Sequence, residues 1–341
     1  MKLIQEIQGG QERLWTCTWH PQGKIFATAG SDKVIKIWGQ IQNEKKISDE
    51  NMEQDNNLEI PKYEILQMID GIHDKSIRCL SFSPNGQLLA SGSFDSQIGI
   101  YKLNQQSQKF EFVQKLEGHE YEIKYVGWSY DSQFLISCSR DKTIWIWDYD
   151  EDLDFSCYAV LDGHTQDVKC AKFAPNSFNV LSSSFDDTIR FWEQDDEDWI
   201  TKGILQEHGS IVWQFDFCNQ GNIMASVSED NSIKIWKKNE NENSKQVYLL
   251  DQDFKDVHKR PVYTCSFSQD GVFLVSGGGD NQISLFQKDF ENEQQYQLKC
   301  QIQEAHVLDI NCMQFSPNDQ DILISVGDDR KIKIWKVQAD L

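Results

Sequence analysis

No run of 18 or more apolar residues occurs in the 341-residue chain, which excludes a membrane-spanning helix. The opening MKLIQEIQGG has no apolar h-region and no small-residue cleavage site, so no secretory signal is expected. The expected compartment is the cytosol, with the nucleus as a second location. Positive charge is scarce: 33 Lys and Arg stand against 54 Asp and Glu, a formal net charge of −21. A phosphate backbone or an anionic membrane surface would be repelled, so neither nucleic acid nor membrane is an expected partner. The nine cysteines include no CxxC pair and no His/Cys cluster at zinc-finger spacing. Five of them, Cys17, Cys79, Cys170, Cys265 and Cys312, fall at nearly equivalent points of a repeated strand, which suits small core residues in a reducing compartment. No metal and no cofactor is expected. A phosphate-binding glycine loop is missing too, because SGGGD at Ser276–Asp280 sits in a turn between strands.

What is present is repetition. Seven aspartates are each followed six residues later by an aromatic: Asp32 and Trp38, Asp95 and Tyr101, Asp141 and Trp147, Asp186 and Trp192, Asp230 and Trp236, Asp280 and Phe286, Asp329 and Trp335. Four residues before each aspartate stands a hydroxyl: Thr28, Ser91, Ser137, Ser182, Ser226, Ser276 and Ser325. Six units open with a histidine four residues ahead of Val or Ile, at His73, His119, His164, His208, His258 and His306; the first unit has Gly10 there. The aspartates lie 44 to 63 residues apart, near the period of a four-stranded propeller blade. Within the third unit HEYEIKYVGWS, QFLISCS, TIWIWDY and FSCYAVL read as strands A to D, with period-two alternation in the C strand.

The fold expected is therefore all-β, a seven-bladed propeller spanning residues 1–341 as one domain. After IKIWKVQADL no fourth strand follows in the last unit, whereas KLIQEIQ precedes the first. The N-terminal strand is expected to complete the seventh blade and close the ring. Residues 40–62, polar and aperiodic, read as a flexible acidic surface insertion in blade one.

Histidine, hydroxyl, aspartate and tryptophan in one unit can form a buried hydrogen-bond chain that satisfies its own members. Four units carry all four: His119, Ser137, Asp141 and Trp147; His164, Ser182, Asp186 and Trp192; His208, Ser226, Asp230 and Trp236; His306, Ser325, Asp329 and Trp335. A catalytic triad is the competing interpretation, but an active site is not built six times over. These sets are scaffold. The one histidine outside the pattern, His20 in the exposed turn WHPQG, has no apparent catalytic partner, so no enzyme is expected.

Strand order places the D–A and B–C connections on one face, the top, and the A–B and C–D turns on the other. Acids gather in the bottom turns: the C–D connections of blades one, three and four hold 16 of the 54. The residue after the first apolar residue of strand A is, blade by blade, Trp15, Arg78, Lys124, Lys169, Trp213, Tyr263 and Asn311. Three cations thus face three aromatics around the top entrance. Arg140, in the B–C turn of blade three, extends the cationic side; its counterparts are Ser31, Phe94, Phe185, Glu229, Gly279 and Asp328. Such a ring suits a short acidic peptide bearing an aromatic or a free carboxylate. A cage for methylated lysine made by Trp15, Trp213 and Tyr263 is disfavoured by the nearby cations.

The recurring pattern resembles that of WD-repeat propellers over essentially the whole chain. Cys138–Asn176, Ser182–Ile200 and His306–Asp319, with the opening LWTCTWHPQGKIFATAGSDKVIKIWG, resemble the WD-repeat subunit of the cytosolic iron–sulfur cluster assembly targeting complex. That resemblance implies a non-enzymatic adaptor. It would act as a monomer within a hetero-complex, joining a cluster-assembly adaptor and a helical-repeat scaffold and docking apo iron–sulfur clients. It also implies a functionally important arginine at Arg140, with Gln166, Asp167 and Lys169 on the same face. Some relatives end the fourth blade with Leu-Tyr-Arg, a chaperone-recruiting signal; here Phe191, Trp192 and Glu193 stand there, which argues against that recruitment. A generic WD-repeat module, such as a ubiquitin-ligase substrate receptor or a histone-tail reader, is the alternative.

Overall fold

A computed structural model describes residues 1–41, 61–196, 198–218, 220–241, 244, 246–291, 295–319 and 321–337. Nearly all of the 40–62 insertion lies outside the described residues. The described chain forms seven four-stranded antiparallel sheets, each running A to D from the ring axis outwards. Blade three is Ile123–Trp128, Phe134–Ser139, Ile144–Tyr149 and Phe155–Leu161. Blade four is Val168–Phe173, Val180–Ser184, Ile189–Asp195 and Asp198–Leu205. Blade seven takes Ile310–Phe315, Ile322–Gly327 and Lys331–Lys336 from one end of the chain and Lys2–Gln8 from the other. Leu3 pairs with Trp335 and Ile7 with Ile332, and Glu6 meets Lys331 and Lys333 at 3.1 and 3.2 Å. The ring closes as expected.

Burial follows strand position. B strands such as Leu88–Ser93 are buried at every residue, because a neighbouring blade packs on each face. D strands such as Lys62–Ile69 alternate toward solvent. Each of the seven apolar clusters draws on two adjacent blades; one joins Ile136 and Ile146 of blade three to Val168 and Trp192 of blade four. The core is thus a ring of seven seams around a polar axis.

The repeated polar residues tie each blade to itself. In blade three His119 Nδ1 lies 2.7 Å from Asp141, its Nε2 lies 2.9 Å from Ser137 Oγ, and Trp147 Nε1 donates to Ser137 at 2.9 Å. An indole N–H can only donate, so Ser137 donates to His119 Nε2 and the histidine donates from Nδ1 to the carboxylate. The same chain runs through His164, Ser182, Asp186 and Trp192, through His208, Ser226, Asp230 and Trp236, and through His306, Ser325, Asp329 and Trp335. Burial alone would raise the carboxyls of Asp95 and Asp141, but their histidine partners pull each down to about 2. The residue after each of the seven aspartates has a left-handed backbone, from Lys33 at φ 63° to Lys142 at φ 75°, although none is glycine.

Blade one solves the missing histidine differently. Lys36, buried, reaches Asp32 at 2.6 Å, and Trp38 still donates to Thr28 at 2.9 Å. A Cβ on Gly10 would stand 2.9 Å from the Asp32 carboxylate and 3.1 Å from the Lys36 ammonium. Glycine is therefore what the lysine permits. His20 corrects an expectation: it is buried rather than exposed, with Nε2 3.1 Å from the Gly86 carbonyl of blade two and its ring edge-on to Phe82. It fastens two blades together, so its role is structural.

Candidate functional site

One local device builds the top-face ring. Pairing between strands A and B skips one residue in every blade, as where Ile123 opposes Ser139 but Tyr125 already opposes Cys138. The skipped residues are Trp15, Arg78, Lys124, Lys169, Trp213, Tyr263 and Asn311. A β-bulge leaves its extra residue out of the ladder and re-aims its side chain. Here seven equivalent bulges turn seven side chains to the axis. All but Trp15 line the channel, a cavity of about 130 Å³, and Trp15 joins through Arg78, whose guanidinium lies 5.3 Å from the indole.

Cations and aromatics are in contact rather than on separate arcs. Lys124 lies 4.6 Å from the Phe94 ring, and Lys169 lies 5.1 Å from both Phe185 and Trp213. Trp213 and Tyr263 pack edge-on at 5.3 Å. Phe94 and Phe185 occupy the B–C turn position whose residue in blade three is Arg140. Their share in the ring was hidden because it depends on packing from the next turn. Asp167 accepts from Lys169 at 3.3 Å, while Gln166 is exposed beside it.

The charges divide the mouth. Burial, reinforced by Lys169 and Arg78, pushes the Lys124 ammonium down to about 8. Burial, with Arg78, lowers Lys169 as well, against the pull of Asp167. Across the axis acids gather: Trp213 donates to Glu229 at 2.7 Å, Asn311 donates to Asp328 at 2.7 Å, and Asp309 and Glu229 help burial to raise the Tyr263 phenol. Blades two to four thus carry the cations of the mouth, and blades five to seven its acids. Deeper in the channel Lys172 of blade four pairs with Asp216 of blade five at 2.8 Å, and Asp216 also accepts from the Phe267 amide of blade six.

Arg140 stands beside this ring. Its amide donates to the Glu122 carbonyl, the bond that all seven B–C turns make to the start of strand A. In blades one, four, five and seven the turn side chain meets its own ring residue, as Ser31 meets Trp15 and Asp328 meets Asn311. Arg140 instead reaches Glu122 at 3.2 Å and lies 5.9 Å from the Tyr121 ring, with 55% of its side chain exposed. Burial would raise the Glu122 carboxyl, but its own amide, Lys124 and Arg140 hold it below the ordinary value. Glu122 therefore links the arginine to the ring. The signal for this link is simple: Glu122 lies two residues before Lys124, immediately ahead of its strand.

Two other expectations meet the geometry here. A methyl-lysine cage needs an open aromatic face, and Lys169 already covers Trp213. Phe191 and Trp192 are buried in blade four, and Glu193 pairs with Lys202 at 2.7 Å, so this tripeptide is bound into the scaffold. Cys17, Cys79, Cys170, Cys265 and Cys312 surround the channel, the first four buried. No group of three or more His, Cys, Asp or Glu among the described residues could hold a metal ion.

Seven blades, their polar chains and the closing strand define a seven-bladed WD-repeat propeller. The family description “WD domain, G-beta repeat” matches residues 1–39, 67–102, 110–148, 155–193, 199–237, 252–287 and 298–336. Similarity to named proteins extends over nearly the full length. The chain is 35% identical, over 98% of its length and 99% of the relative's, to “Probable cytosolic iron-sulfur protein assembly protein 1” of Vanderwaltozyma polyspora. It is 36% identical, over 96% of its length and 94% of the relative's, to “Probable cytosolic iron-sulfur protein assembly protein CIAO1 homolog” of Caenorhabditis elegans. A “Probable cytosolic Fe-S cluster assembly factor” of Schizosaccharomyces pombe is 36% identical over 98% of this chain, which spans 54% of that longer protein. The chain belongs to the WD-repeat family of cytosolic iron–sulfur protein assembly proteins.

Proposed function

We propose that this chain is a non-enzymatic adaptor of cytosolic iron–sulfur protein assembly, docking apo-proteins that receive a 4Fe–4S cluster. The observation that carries the docking role is the two-sided channel mouth. Arg78, Lys124 and Lys169 converge on one side, with aromatic faces beside them and acids opposite. A short acidic segment ending in an aromatic or a free carboxylate would lie with its charge over blades two to four. Arg supplies bidentate pairing there, and the rings supply rigid contact area. Arg140, anchored through Glu122, extends that grip outward on the face that also carries Gln166 and Asp167.

The partners in this reading are a cluster-assembly adaptor and a helical-repeat scaffold, with apo iron–sulfur proteins as clients. The propeller is one monomer within the hetero-complex, working in the cytosol and in the nucleus. Co-purification from cells expressing wild-type chain, Arg140→Glu or Lys124→Glu tests it, with iron and sulfide measured on the recovered partners. Charge reversal should release clients and lower their iron and sulfide content. Full recovery of loaded clients on both variants would refute the docking role of the mouth.

A further inference from the structure

Four blades carry a glutamine at their outer edge that faces the next blade; the position is Ala159, Gly203 and Cys300 in blades three, four and six. The D-strand residue opposite the second isoleucine of strand C is Gln5, Gln67, Gln114 and Gln252 in blades seven, one, two and five. Three of these glutamines bond both the amide and the carbonyl of one aromatic in the next blade. Gln67 holds Phe110 at 2.9 and 2.7 Å, Gln5 holds Tyr63 at 2.9 and 3.1 Å, and Gln252 holds Tyr296 at 2.8 and 2.9 Å. In blade three the same position, opposite Ile146, is Ala159. The aromatic it would clamp is Trp199 of blade four, opposite Gln194.

A cavity of about 210 Å³ opens at this boundary, lined by Phe134, Tyr158, Phe178, Gln194 and Trp199 among others. Tyr158 is the extra residue of a bulge in the D strand, aimed at the seam, where Gln194 donates to its hydroxyl at 3.1 Å. Phe134 packs on Tyr158 and Phe178 at 5.1 and 5.6 Å, and Tyr130 extends the aromatic strip. Tyr130, Tyr158 and Phe178 remain 47, 45 and 40% exposed. The indole N–H of Trp199 is buried without an acceptor. At the register-equivalent position, Tyr248 and Tyr296 find theirs in the carbonyls of Gly221 and Gly271. A buried donor without a partner is unfavourable and invites one.

Acids rim the groove. Asp148 stands opposite Phe134 in the sheet, and Asp195 and Asp198 flank Gln194 and Trp199. Among the described residues Asp148, Asp150, Glu151, Asp152, Asp154, Asp195, Asp196 and Asp198 take part in no salt bridge. We propose that this groove is a second docking site, on the bottom rim, for a basic segment of another protein that carries one apolar anchor side chain. The anchor fills the seam left by Ala159, a backbone carbonyl of the segment accepts from Trp199, and Lys or Arg on either side pairs with the acids. A second copy of this chain does not fit, because it brings the same acids and a net charge of −21.

Fluorescence anisotropy of the full chain with the labelled peptide GKRKLKRKG tests this, with GKRKGKRKG and GEDELEDEG as controls. The anchored basic peptide should bind at least tenfold more tightly than either control. Ala159→Gln, which restores the clamp, should weaken that binding at least tenfold while the melting temperature holds or rises. Asp195→Lys with Asp196→Lys, on exposed positions, should weaken it comparably. Equal binding of the anchorless peptide, indifference to Ala159→Gln, or self-association that Ala159→Gln abolishes would each overturn the proposal.

Discussion

The channel mouth and the rim groove use the same device to opposite ends. At the mouth, seven bulges in A strands turn seven residues inward, and three of them are cations held among aromatics. At the rim, the bulge that every D strand carries turns Tyr158 into a seam without a glutamine clamp, with acids outside any salt bridge around it. One surface comes from repetition carried through every blade, the other from a position the repeat leaves variable, Ala159 in blade three. Symmetric positions with varied side chains make a graded ring; a small residue at a seam makes a pocket.

The harshest way to break the comparison is to open the ring. Deleting residues 2–8 removes the D strand of blade seven and exposes the edge of Lys331–Lys336, so both surfaces should fail together. The melting temperature should fall by on the order of 10 °C, read by calorimetry; an unchanged melt would refute the closure. A milder cut is His119→Ala, which strips Ser137 and Asp141 of their shared partner and lets the turn bearing Arg140 loosen. It should cost about 2 kcal/mol in urea denaturation. Client binding at the mouth should weaken while peptide binding at the rim persists.

Acid separates scaffold from surface. Asp95 and Asp141 are held near 2 by their histidines, below an unfolded value near 4. Their contribution is therefore complete above pH about 4 and lost as the pH falls toward 2, which circular dichroism will follow. Base acts on the mouth alone. Lys124 loses its proton near pH 8, so an acidic peptide should bind several-fold more weakly at pH 9 than at pH 7. Lys124→Met should reduce that pH dependence, leaving the part that Lys169 carries. The smallest effect is the stabilisation by Ala159→Gln, about 1 kcal/mol from two restored hydrogen bonds, with peptide binding at the mouth untouched.

Much of the architecture was legible because blade-forming residues recur at fixed offsets. His119, Ser137, Asp141 and Trp147 reveal the third blade because the hydroxyl and aspartate recur in six more units and the histidine in five. What escaped notice was whatever the repeat does not vary in type. Lys36 stands in for a histidine from strand C, four residues after its aspartate, where a lysine alternating with isoleucines is unremarkable in a strand. His20 looked like a turn residue because its acceptor, Gly86, belongs to the next blade. The ring positions were readable by counting from strand A, but the bulge that aims them was not, since a bulge has no composition of its own here. Ala159 was visible in principle. Recognising a missing glutamine requires the C–D register, and C–D hairpins of unequal length obscure it.

The closing strand has a temporal side. Lys2–Gln8 leaves the ribosome before every other strand described, and its partner Lys331–Lys336 after all the others. Blades one to six can assemble as they emerge, yet the Lys2–Gln8 strand must wait, unpaired, until the seventh blade is made. A chain arrested before Lys331 keeps two raw edges for proteases and chaperones to find. Closure thus reports that translation has passed the seventh blade.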